Sequence, residues 1–89
     1  MPLDPQVKAE VIKQFAREDG DTGSPEVQIA LLTARIKQVA THMREHRQDN
    51  HNRRGLVTMV AKRNRLLRYL RTTKPESYQE TIKALGLRK

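Results

Sequence analysis

Three groups of side chains in this sequence could do chemistry. The first is a run of cations. Between Asn50 and Thr73 stand Arg53, Arg54, Lys62, Arg63, Arg65, Arg68 and Arg71, with no carboxylate among them. Arginine binds phosphate through two parallel N–H donors and stacks on planar rings, so this set suits a polyanion. The second group centres on histidine. His42 and His46 stand four apart, with Asp49 and His51 close behind. Two histidines at that spacing share one helix face and could hold a metal. The flanks are arginine-rich and cysteine is absent, so thiolate ligation is excluded and no metal site is expected. The third group is Ser24 and Ser77, the candidate nucleophiles. Neither stands in a nucleophile elbow, and no glycine-rich phosphate loop carries a lysine. No catalytic residue, cofactor or enzyme activity is expected.

Composition points the same way. The chain has 89 residues, with 18 Lys and Arg against 10 Asp and Glu, for a formal charge of +8. That length is one domain, expected to span 1–89. A chain this size buries only roughly 60–65% of the surface its unfolded form exposes, so its core is thin. Only 36% of residues are hydrophobic, and the aromatics are Phe15, Tyr69 and Tyr78. The longest apolar run, Ile29 to Leu32, is far too short for a membrane span. A soluble, basic module with a polyanion as partner is the expectation. The charge is also segregated. Residues 1–24 carry Lys8, Lys13 and Arg17 against Asp4, Glu10, Glu18, Asp19 and Asp21, whereas residues 25–89 carry 15 basic and five acidic side chains.

Four helices must position these groups, and the expected fold class is all-α. Leu3, Val7, Val11 and Phe15 recur at four-residue spacing, with Asp4-Pro5 as a start signal. Gly20 and Gly23 are expected to end this first helix and to let it swing. Ser24-Pro25-Glu26 starts the second, whose stripe of Ile29, Leu32, Ile36, Val39 and Met43 runs for about five turns. The polar stretch Glu45–Asn50 is the connection. Leu56, Met59, Val60, Leu67 and Leu70 form the third stripe, with a loose start expected around Gly55. Thr72 to Glu76 is a stop and restart. Tyr78, Ile82 and Leu85 mark a short last helix closed by Gly86. The short connection makes the second and third helices antiparallel neighbours, with the other two packed onto them.

Placed on a wheel at about 100° per residue, the apolar side chains of the third helix fall between about 120° and 240° from Arg54. Arg54, Lys62, Arg65, Arg68 and Tyr69 fall opposite, a plausible nucleic-acid contact set. Arg63 lands mid-stripe, where it must either snorkel past the core or pair with a carboxylate. On the second helix Gln28, Arg35 and His42 stand seven apart and line up over roughly 21 Å, with His46 one turn on. Such a row suits a groove or a backbone edge, and equally an ordinary polar flank. A helix-turn-helix DNA binder and a helical binder of an acidic protein are the competing classes. Against the first, a recognition helix follows a short helix and a turn of 3–4 residues.

Four pieces in this order carry a resemblance: DTGSPEVQIALLTARI (Asp21–Ile36), HRQDNHNRRGL (His46–Leu56), RNRLLRYL (Arg63–Leu70) and the tail ALGLRK. From Val7 to Arg88 the chain resembles small-subunit ribosomal protein fifteen, the universal S-fifteen family of bacterial type. The resemblance implies four helices, with a three-helix antiparallel core and a mobile N-terminal helix. It implies a primary binder of the central domain of small-subunit ribosomal RNA that lets later platform proteins join. A three-way junction would be met by Thr22, Gly23, Gln28, Arg35, Arg65, Arg68 and Tyr69. An adjacent minor groove with a G·U/G·C step would be met by His42, His46, Asp49 and Asn52. Arg53, Arg54, Lys62 and Arg71 would add backbone contacts. The implied partners are that RNA, neighbouring platform proteins and the large subunit across an intersubunit bridge. The implied setting is cytoplasmic and ribosome-bound, with no membrane and no homo-oligomer. The family commonly has Ser at position 52 and often Asp at 74, where this chain has Asn52 and Lys74. Asn52 still donates and accepts, but it is longer. Lys74 cannot cap a helix N-terminus with its side chain.

Overall fold

Three of the four helices begin at a side chain that accepts from one of their unpaired N–H groups. The computed structural model describes residues 4–16 and 23–87. In α1 (Pro5–Phe15) the Asp4 carboxylate accepts from the Gln6 N–H at 2.8 Å, and Pro5 occupies the first helical position. In α2 (Pro25–Glu45) the Ser24 hydroxyl accepts from the Val27 N–H at 3.3 Å. The start signals at Asp4 and Ser24 thus work as expected.

The third helix departs from expectation. It spans Asn50–Thr73, 24 residues, and starts well before Gly55. The cause is Asp49, whose carboxylate caps it by accepting from the Asn52 N–H at 3.1 Å. Gly55 is therefore interior to α3, where an added Cβ would meet nothing within 4 Å. The first helix also ends early. Ala16 is already extended at φ −62°, ψ 137°, ahead of the expected stop at Gly20–Gly23. Gly20 itself, like Leu3, lies outside the described residues.

Only Lys74 separates α3 from α4 (Pro75–Leu85), and it offers no side-chain cap. The far end of α4 is closed well. Gly86 is left-handed at φ 70°, and the Leu87 N–H donates to the Ile82 carbonyl at 2.9 Å. The Gly86 N–H donates to the Lys83 carbonyl at 3.3 Å, which completes a Schellman closure.

The core lies where α2, α3 and α4 converge. Ile29, Leu67, Leu70 and Tyr78 form its buried centre, flanked by Leu66, Ile82, Leu85 and Leu87. Further along α2, Leu32 and Val39 are buried, whereas Leu56, Met59 and Val60 on α3 are only half-buried. The three-helix core is thus packed at one end and thin at the other. Among the described residues α1 packs against α2 alone, and none of its side chains is fully buried. The molecule measures 39 × 27 × 19 Å. Among the described residues no helix is long and apolar enough to cross a membrane.

Candidate nucleic-acid interface

The corner between α2 and α3 gathers three polar side chains. His42 lies in the last turn of α2, Asp49 caps α3, and Asn52 lies in the first turn of α3. The ring Nε2 of His42 is 2.9 Å from Asp49 Oδ2. The Asn52 amide donates to the same oxygen and lies 3.2 Å from His42 Nε2. Asp49 Oδ1 takes the Asn52 backbone N–H. The 2.9 Å contact between His42 and Asp49 is an ion pair only when the imidazole is protonated.

The hydrogen bond from His42 holds the Asp49 carboxyl well below the ordinary carboxylate range. The backbone and side-chain N–H groups of Asn52 add to that effect, against a smaller upward push from desolvation. Asp49 is therefore ionised at neutral pH and can only accept. That fixes its partners. His42 must carry a proton on Nε2, and Asn52 must turn its NH2 toward the carboxylate. In a neutral ring, Nδ1 of His42 is then an acceptor, as is Oδ1 of Asn52, and neither atom is used within the corner. His46 stacks on His42 with centroids 4.4 Å apart and planes 28° from parallel. His51 is exposed and takes no part in this network.

The expected contact residues divide between two helices. Gln28 donates its amide to the Gly23 carbonyl at 2.7 Å, which ties the start of α2 to the turn before it. Thr22 lies outside the described residues. Arg35 is exposed on α2, and Arg65, Arg68 and Tyr69 are exposed on α3, Tyr69 by 57%. No side-chain bond joins the α2 row to the α3 row among the described residues. Arg54, Lys62 and Arg71 are also exposed. Arg53 is partly engaged, since one guanidinium N–H donates to the Arg47 carbonyl at 2.6 Å and braces the connection. Arg63 is half-buried, its Nε is enclosed without a hydrogen bond, and no described carboxylate pairs with it. It snorkels.

Two roles were missed from the residues alone. The first is Asp49 as a helix cap, which an Asp directly before a helical period should have signalled. The second is Glu26. It is buried, and its Oε2 accepts from the Ser77 hydroxyl at 2.7 Å, which links the first turns of α2 and α4. No spacing rule reaches across 51 residues to announce that bond.

The family model described as Ribosomal protein S15 matches residues 8–88. A small ribosomal subunit protein uS15 of Thermotoga maritima is 56% identical over 87 residues, covering 98% of this chain and 97% of the relative. The protein of that name from Bordetella avium is 57% identical over 82 residues, 92% of each chain. The one from Micrococcus luteus is 53% identical over 89 residues and covers both chains in full. The all-α fold, the cationic α3 and the polar corner thus occur in a chain that belongs to the ribosomal protein S15 family, a family of ribosomal proteins and not of enzymes.

Proposed function

We propose that this chain is a structural constituent of the small ribosomal subunit. In this reading it binds the central domain of small-subunit RNA at two places and nucleates the platform. The α2–α3 corner meets a minor groove with a G·U/G·C step. Thr22, Gly23, Gln28 and Arg35, with Arg65, Arg68 and Tyr69, meet a three-way junction. Residues 1–89 act as one domain, as a monomer in the cytoplasm. Neighbouring platform proteins join it, and the large subunit approaches across a bridge.

One observation carries the reading: an ionised Asp49 clasped by His42 and Asn52 amid arginines. Phosphate binding alone would not favour a carboxylate there. A wide, shallow A-form minor groove displays 2′-hydroxyls and base edges, within reach of short side chains. Its one base donor is the guanine 2-amino group. The unused acceptors of His42 and Asn52 match that donor and the 2′-hydroxyls. Lys62 and the arginines supply the sequence-independent part of the affinity by counterion release.

The test is a competition binding assay at fixed salt. A three-way-junction RNA bearing the G·U/G·C step is expected to displace duplex DNA of equal length. Equal binding of the two would overturn the reading in favour of a general polyanion binder.

A further inference from the structure

A second feature lies on the α4 side of α3. Asn64, Arg68 and Arg71 stand at i, i+4 and i+7, so they share one edge of the helix. With Leu67 and Tyr78 they line a groove of about 250 Å³ between α3 and α4. No carboxylate lines it. The Arg68 and Arg71 guanidinium groups are exposed and make no ion pair with any described residue. The Asn64 amide makes no hydrogen bond to a described residue either. Tyr78 is only 6% exposed, and its hydroxyl, which bonds to no described residue, is the part of it that opens to solvent, at the groove.

We propose that this groove takes one unpaired nucleotide of the bound RNA. Arg68 and Arg71 hold its phosphate. The Asn64 amide and the Tyr78 hydroxyl bond the polar edge of its base, against the apolar floor of Leu67. Three features favour this occupant. Two cations with no nearby carboxylate select an anion. A floor with an apolar residue and two neutral polar groups suits a planar, polar-edged ring better than a bare phosphate. Arg68 also belongs to the proposed junction set, so the groove continues that surface. The proposal rests on the RNA-binding function above and extends it to α4, which none of the junction or minor-groove residues reaches.

The test uses the full chain and the junction RNA. Tyr78→Phe keeps the core ring and removes only the hydroxyl; Asn64→Ala changes an exposed side chain. Both variants should keep the wild-type melting profile and bind the RNA about threefold to tenfold more weakly. A direct readout comes from the two tyrosines, Tyr69 and Tyr78. In protein labelled with 3-fluorotyrosine, assigned with Tyr69→Phe, the Tyr78 fluorine resonance should move when the RNA binds. Support requires both the weakened binding and the moved resonance. If wild-type protein binds the junction but either variant stays within about twofold, or the Tyr78 resonance is static, the groove has no such role and the junction reading stands. If wild-type protein shows no preference for the junction RNA, the underlying reading fails and this proposal fails with it.

Discussion

At the scale of single residues, Asp49 does two jobs that different substitutions separate. It caps α3 and it holds a proton on His42 Nε2. Asp49→Asn retains an oxygen for the Asn52 N–H, but places an NH2 against His42. The ring must then move its proton to Nδ1, which turns an acceptor into a donor. Asp49→Asn should therefore keep more of the thermal stability than Asp49→Ala, since Asn caps well and Ala does not. Both variants should lose the preference for a G·U over an A·U step, as read by filter binding with the two RNAs; retained preference would remove the corner from base recognition. Acid provides a related check. The folded pKa of Asp49 lies below its unfolded value, so its contribution is complete above the ordinary carboxylate range. That contribution falls away as pH drops below about 4 toward the lower folded value. Between about pH 5 and pH 3 the wild-type melting temperature should fall further than that of Asp49→Asn. On α3, the exposed Arg68 and Tyr69 face the proposed junction. Arg68→Ala combined with Tyr69→Ala should weaken junction binding from about severalfold to about a hundredfold, one stacked ring and one charge-assisted contact being lost. Unchanged affinity would take this face of α3 out of the interface. The residue types of the corner were legible in the sequence, because His, Asp and Asn are conspicuous among arginines. Their mutual bonding was not, because it depends on how α2 and α3 meet.

At the scale of elements, two glycines with opposite demands test the account of helix ends. Gly55 is helical, interior and unobstructed. Gly55→Ala should stabilise the free protein by about 0.5–1 kcal/mol. Gly86 sits at φ 70°, where a Cβ is strained although space is open. Gly86→Ala should destabilise by about 1–2 kcal/mol. Thermal melts of the two variants should thus move in opposite directions, and a shared direction would contradict the assigned helix ends. The helix starts at Asp4-Pro5 and Ser24-Pro25 were readable because cap and proline are adjacent in sequence. The α3 start is not legible from the weak propensity of Gly55, because the Asp49 cap sets it five residues earlier. That cap is reinforced by His42, seven residues upstream on another helix. The early end of α1 had no local signal, since Phe15-Ala16 holds neither Gly nor Pro. Lys74 illustrates a different constraint. It ends α3, whose C-terminus favours a cation, and begins α4, whose N-terminus favours an anion. One residue cannot serve both, and this chain serves α3.

At the scale of the molecule, packing is unevenly spread. The well-packed centre joins α2, α3 and α4 at one end, whereas α1 rests on α2 without a fully buried side chain. Amide hydrogen exchange should therefore be fastest in α1 and slowest around Ile29, Leu67 and Leu70. Equal protection across all four helices would show that α1 is as firmly held as the rest. The four-helix architecture was legible because the apolar stripes are periodic. The thinness of the far end was legible only from composition, with no indication of where it would fall. The corner at that far end has one more consequence. Its acceptor pattern exists only while the last turn of α2 and the first turn of α3 are held together, because His42 and Asp49 orient each other. On the proposed RNA-binding reading, a chain with its helices formed but unpaired would keep every arginine, and with them the unspecific attraction to RNA, yet present no matched acceptors. The clasp that closes the corner would then serve as a checkpoint, with base discrimination reporting that the protein has finished folding.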